Sequence, residues 1–142
     1  MAETMTEEEW REFLLTGTRT GKAGVVEADG TPHVTPIWFL LDGEDLVFTT
    51  AASGVKGKAL RRDPRISICM DDEIPPYSFV TVWGEASLSD DLDDLRRWAT
   101  ALGGRYMGAD RAEEYGARNA APGECLVRVR ITRVIAQRDI AI

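Results

Sequence analysis

Ala23-Gly24-Val25-Val26-Glu27-Ala28-Asp29-Gly30-Thr31-Pro32-His33-Val34-Thr35-Pro36-Ile37-Trp38-Phe39-Leu40-Leu41-Asp42-Gly43-Glu44-Asp45-Leu46-Val47-Phe48-Thr49-Thr50 is the stretch whose reading decides the fold. Three short apolar runs, 23–28, 33–41 and 44–50, are separated by Asp29-Gly30 and Asp42-Gly43. Both dipeptides favour the positive-φ backbone of tight hairpins. Parallel neighbours need a crossover of a dozen or more residues, so joins this short predict an antiparallel meander. Beyond Pro36 both alternating sets of the 33–41 run are apolar, which predicts a strand covered on both faces. Pro36 itself lacks a ladder donor and marks an edge or bulge.

Outward from this stretch, Arg65–Asp71, Tyr77–Leu88 and Cys125–Ile131 alternate as strands, the last extended by Val134–Ala136. Helices punctuate them. Thr6 and Glu9 form a capping box ahead of Trp10, Phe13 and Leu14, and Gly17 is a stop. Gly54–Arg62 is a short helix halted by Asp63-Pro64. A third helix, capped at Ser89, carries acids early and arginines late, as the helix dipole favours. Its apolar stripe is Leu92, Leu95, Trp98 and Leu102, and Gly103-Gly104 closes it. Asp110 caps a last helix through Asn119. The fold class read here is α+β: a six-stranded antiparallel split β-barrel with flanking helices, one domain over residues 1–142.

A 44% hydrophobic composition supplies a core for a chain of this size. The net charge of −7 argues against a general nucleic-acid binder, which needs a basic footprint. Two cysteines are too few for a disulfide framework and read as buried thiols. The acidic opening Met1–Trp10 lacks a signal-peptide pattern, and no apolar run approaches the ~20 residues of a membrane span. The expectation is a cytoplasmic protein without membrane or nucleic-acid partners.

Against this acidic background, residues 56–65 gather Lys56, Lys58, Arg61, Arg62 and Arg65 with only Asp63 opposing them. A solvated helix face would read the same. The run just before adds a second signal. Thr49, Thr50 and Ser53 supply hydroxyls, Gly54 permits close backbone approach, and amides from Gly54 and Val55 precede the ammonium of Lys56. Hydroxyls, amides and cations at a strand-to-helix junction suit a phosphate. It is not a Walker A loop, since both its spacing and the hydroxyl after the lysine are missing. Residues two apart on a helix point about 200° apart. The two lysines therefore reach one phosphate only if Lys56 lies in the loop or a frayed first turn; otherwise they serve different groups of the ligand. His33, the lone histidine, cannot build a multi-histidine metal site, and Asp71-Asp72-Glu73 reads as an acidic loop rather than a metal centre. Trp38, Tyr77, Phe79 and Trp83 suit either barrel core or a flat aromatic pocket. Tyr77, after Pro75-Pro76 at a strand mouth, is the best placed for a ligand. Tyr106 and Tyr115 through Asn119 suit either helix packing or ligand contact. No catalytic residue is assigned; His33, Tyr77 and Tyr106 are proton-donor candidates.

Thr35-Pro36-Ile37-Trp38-Phe39, Phe48-Thr49-Thr50, Lys56, Lys58 and Leu60-Arg61-Arg62-Asp63-Pro64-Arg65 together resemble the pyridoxamine-phosphate-oxidase-like split β-barrels. Within them the chain is most similar to the flavin/deazaflavin oxidoreductases that use coenzyme F420 or FMN. The resemblance spans roughly residues 10–136. It implies an FMN-binding-like domain, a homodimer with cofactor at the interface, and a small-molecule substrate. It places Thr35, Pro36, Ile37 and Trp38 beside the cofactor ring and Thr49, Thr50 and Lys56 on its phosphate. Lys58 stands where the family usually has Arg, Ala59 where it has Asn, and Ala136-Gln137 where some relatives carry Trp. The implied activity is hydride transfer from reduced coenzyme F420 to an unsaturated acceptor, with an FMN-dependent enzyme or a non-catalytic cofactor-binding protein as alternatives.

Overall fold

The computed structural model describes residues 2–142. The elements are β1 (Glu3–Thr4), α1 (Glu7–Leu15), β2 (Gly21–Val26), β3 (Pro32–Ile37), β4 (Leu40–Asp42), β5 (Asp45–Ala51), α2 (Val55–Arg62), β6 (Arg65–Asp72), β7 (Ser78–Ser89), α3 (Leu92–Met107), α4 (Ala112–Asn119) and β8 (Glu124–Arg138), with a 3-10 turn at Ala109–Arg111. The sheet is antiparallel throughout and runs β3-β2-β6-β7-β8-β5-β4, with β1 beside β8.

The expected count of six strands is corrected to eight among the described residues, and no ladder joins β3 to β4, so hydrogen bonding does not close a barrel. One added strand is β1, two residues long and too short to show any periodicity. The other arises because the 33–41 run is two strands. β3 stops at Ile37, Trp38 and Phe39 cross the gap, and β4 starts at Leu40 on the opposite edge of the sheet. The hairpins at Asp29-Gly30 and Asp42-Gly43 exist, but they lie at the two ends of the sheet instead of forming a meander. Three residue steps reach at most about 11 Å, so the two edges face each other across a narrow gap and the sheet curls around its core.

Side chains of α3 hold that break. The Phe39 N–H donates to the Tyr106 hydroxyl at 3.1 Å, and the Phe39 carbonyl accepts from Arg105 Nη1 at 2.6 Å. The groups a ladder would have used are thereby satisfied. Arg105 also donates to the carbonyls of Leu14 (2.7 Å) and Gly17 (3.1 Å), tying α1 to the same point.

The main core lies inside the curl, where Val25, Ile68, Met70, Val80, Val82, Phe48 and Val127 meet Trp10 and Leu14 of α1 and Leu60 of α2. A smaller core of Val47, Leu95 and Leu126 fills the space between sheet and α3. The strand buried on both faces is therefore β5, and not the 33–41 run, whose Val34 is 64% exposed. Cys125 is buried, whereas Cys69 is only half-buried, on the outer sheet face.

α3 begins later and ends later than expected. Asp91 caps it, accepting from the Asp94 N–H at 3.1 Å, and it continues through both glycines to Met107. The glycines are there because α4 crosses closely. A Cβ on Gly103 would sit 2.7 Å from Tyr115 Cβ, and one on Gly116 would sit 2.0 Å from Thr100 Oγ1.

Candidate cofactor site

The site grows out of the β5-to-α2 junction. Successive strand residues face opposite ways, so Thr49 and Thr50 part company. Thr49 faces a surface cleft, while Thr50 is buried. The chain then turns into α2 at Gly54, whose side-chain position offers no cap to the first helical amides. Gly57 lets the helix lie directly on this turn, since a Cβ there would come within 2.5 Å of the Ala51 carbonyl oxygen and 2.6 Å of that of Ala52. The orphan N–H groups of the first turn, with the positive end of the helix dipole, are thereby left available beside the cleft.

From that first turn Lys56 reaches across to β3, its Nζ donating to Thr35 Oγ1 at 2.8 Å. Lys56 is half-buried, and among the described residues it forms no salt bridge to a carboxylate. Burial lowers its pKa from the ordinary lysine value.

The remaining walls come from Pro36, Ile37 and Trp38 at the end of β3, Arg118 and Asn119 at the end of α4, and Glu124 at the start of β8, around a cleft of about 310 Å3. The Trp38 ring is fixed. It stacks on Tyr106 with centroids 5.1 Å apart and planes 4° from parallel, and it meets Tyr115 at 5.7 Å and 59°. Tyr106 in turn donates its hydroxyl proton to the Arg19 carbonyl at 2.8 Å. Burial raises its pKa, the Phe39 hydrogen bond working against this.

Eight of the residues singled out from sequence thus gather here: Thr35, through Lys56, and the cleft-lining Pro36, Ile37, Trp38, Thr49, Lys56, Arg118 and Asn119. The others are elsewhere. Ser53 is exposed on the turn and Gly54 caps α2. Val55 and Lys58 open, with Arg62, onto a separate depression of about 190 Å3 beside Glu27. Arg61 lies on another side of α2, near Leu88 and Ser89. The basic run is therefore dispersed around the helix, and two of its members are engaged. Arg65 pairs with Asp63 at 2.7 Å, and Arg62 donates to the Val26 carbonyl. Tyr77 sits at the far end of the sheet, ahead of β7, with φ of 68°, its carbonyl accepting from Ile140 N–H. His33 lies on edge strand β3 opposite Val25, outside the cleft. Tyr106 supports Trp38 from behind with its hydroxyl committed to backbone. Glu124 is the cleft residue that the sequence did not point to. It arrives through the pairing of β8 with β5, where it faces Ala51. Among the described residues no group of three or more histidine, cysteine or acidic side chains is arranged to hold a metal, and no helix is long and apolar enough to cross a membrane.

The profile of the pyridoxamine 5'-phosphate oxidase family matches residues 6–138. The chain belongs to this family. Solved members of this fold place it further. A conserved hypothetical protein from Mycobacterium tuberculosis is 26% identical, with a TM-score of 0.84 over 97% of this chain and 89% of that one. A structure described as an F420 reductase is 28% identical, with a TM-score of 0.69 over 87% of this chain and 94% of that one. A FAD-binding protein from Mesorhizobium loti, at 19% identity and a TM-score of 0.72 over 96% of both chains, shares the fold. None of the curated proteins matches the chain. Family and fold together are those of flavin-related oxidoreductases.

Proposed function

We propose that the cleft binds the phosphate and flat ring of a flavin-type cofactor, and that this family member is a coenzyme F420-dependent reductase acting on an unsaturated small molecule. The observation that carries the reading is Lys56: a half-buried ammonium, without a carboxylate partner, beside an uncapped helix N-terminus and a fixed tryptophan ring. Such a cation is waiting for an anion. The 28% identity to an F420 reductase favours the deazaflavin over FMN.

The residues present suit the group. Lys56 would take a phosphate oxygen, with Thr35 aiming its ammonium and Thr49 adding a hydroxyl. Trp38, held by Tyr106 and Tyr115, would present a flat face to the ring and keep water from it. When bound, the reduced cofactor supplies the hydride. No lining residue is assigned the accompanying proton. Val55, Lys58 and Arg62 around the second depression would meet an acidic extension of the ligand, a role in which Arg61, on another side of α2, has no part.

We further infer a cytoplasmic homodimer. On the outer sheet face Phe79 and Trp83 are half-buried and Val34 is exposed. Pairing of two such faces would shield them. FMN-dependent catalysis, or cofactor binding without turnover, is the competing reading. Absorbance and mass spectrometry of cofactor released from the purified protein separate deazaflavin from FMN. Turnover of reduced coenzyme F420 with a panel of enones and quinones tests for a reductase. Tight binding with no turnover of either reduced cofactor would leave a binding protein.

A further inference from the structure

Glu124 is out of place in an anion site. It is half-buried, it lines the same cleft as Lys56, and among the described residues its carboxylate takes part in no hydrogen bond or salt bridge. Its backbone is fixed on both sides, since its N–H donates to the Ala121 carbonyl at 3.1 Å and it pairs with Ala51 in the β5–β8 ladder. The alternation of β5 puts Ala51 on the Thr49 side, so the carboxylate enters the cleft with Thr49 as a consequence of register. The charged residues of the cleft are then Lys56, Arg118 and Glu124, two cations against one anion. Arg118 is exposed, its guanidinium 5.5 Å from the Tyr115 ring centroid, so water screens it more than it screens Lys56.

A cleft whose side chains leave one positive charge is neutralised by one negative charge. We propose that Glu124 selects the charge of the phosphate group bound here, favouring a phosphodiester with a single negative charge over a terminal phosphomonoester, which carries nearly two at neutral pH. This rests on the cofactor reading above. It makes Glu124 a specificity-determining residue, because the repulsion it exerts on a bound anion is proportional to that anion's charge. Lys56 attracts both forms, and the carboxylate across the cleft sets the difference between them.

The test uses three ligands that share one ring: riboflavin, FMN, and the monomethyl phosphodiester of FMN. Each is titrated by fluorescence quenching at fixed ionic strength against the wild-type protein, Glu124→Gln and Lys56→Ala. Glu124→Gln keeps the side chain's shape, and an unchanged melting temperature confirms that the fold is retained. FMN affinity is expected to rise about 10-fold in Glu124→Gln and that of the diester about 3-fold, because the Coulomb energy is linear in charge. Riboflavin should not change. Equal gains for FMN and diester, or no gain for either, overturn the proposal. Lys56→Ala reports separately on the underlying reading. If FMN and diester keep their full advantage over riboflavin in Lys56→Ala, the phosphate is held elsewhere and the cofactor reading fails. If that advantage disappears while Glu124→Gln is silent, only the role of Glu124 fails. Absence of binding by all three ligands overturns the role of Glu124, while coenzyme F420 released from the purified protein would still uphold the cofactor reading.

Discussion

At Lys56 an ammonium is held half out of water against one hydroxyl, Thr35 Oγ1. Folding gains little from it, and binding gains much. Lys56→Met should leave the melting temperature unchanged or slightly raised, while affinity for a phosphate-bearing ligand falls about 10- to 100-fold, the range of a charge-assisted hydrogen bond; thermal melts and a ligand titration on one preparation read both. Tyr106 is the opposite case. Tyr106→Phe keeps the stack on Trp38 but strands the Phe39 N–H, so denaturant unfolding should show a loss of about 1–3 kcal/mol. Asp63 gives a pH dependence. Hydrogen bonding from Arg65 lowers its pKa from 3.8 to about 2. Its contribution is present above the higher value and is lost as pH falls through the lower one. Asp63→Asn should therefore flatten the melting-temperature profile between about pH 4 and pH 2. Lys56 and Thr49 were legible because hydroxyls, glycine and lysine crowd one strand-to-helix junction, and Trp38 only through the family resemblance of Thr35–Trp38. Glu124 was not, because a lone acid at a strand start has no local signature and reaches the cleft only through the β5–β8 register.

Among the elements, two with local causes matched their sequence signals, although the Ser89 cap did not, since Asp91 caps α3. The Thr6 capping box forms as written, and the Asp42-Gly43 turn leaves a two-residue loop between paired Asp42 and Asp45. Elements whose limits come from distant partners did not match. The break between β3 and β4 is imposed by Tyr106 and Arg105, 67 and 66 residues away from Phe39. Gly103 reads as a helix stop but is a packing contact, because α4 demands its space. That contact makes a clean test. Gly116→Ala would set a methyl on the β-branched Thr100, which has little room to turn. Overpacking of this kind costs about 1–3 kcal/mol, readable as a shift of the urea midpoint. Thr100→Ser placed alongside it should recover little, because the hydroxyl remains the nearest atom, whereas Thr100→Gly should recover most of it.

For the whole molecule, the sheet has one well-filled concave side and a convex side with tryptophan and phenylalanine half in water. Arg133 lies over the Trp83 ring at 4.4 Å, a partial screen. If two copies meet through this face, Trp83→Glu should shift light-scattering mass from dimer to monomer while the circular dichroism spectrum is unchanged. A monomeric wild type would remove the dimer from the proposal and leave the cleft as described. The last strand in chain order, β8, carries a different consequence. It alone joins β7 to β5. On the ribosome, every other strand is synthesised before it. Until residues 124–138 are free, the β3-β2-β6-β7 set and the β4-β5 hairpin are separate pieces, each with a bare edge. The cleft does not exist at that stage either, since Glu124 and the β5 ladder come with β8. A chain halted at residue 123 should show no cooperative unfolding transition, and a peptide of residues 124–138 added to it should restore one. The strand that joins the sheet is therefore the last of its strands to be made, and the exposed edges of β7 and β5 are where a nascent chain would meet a chaperone or a second nascent chain.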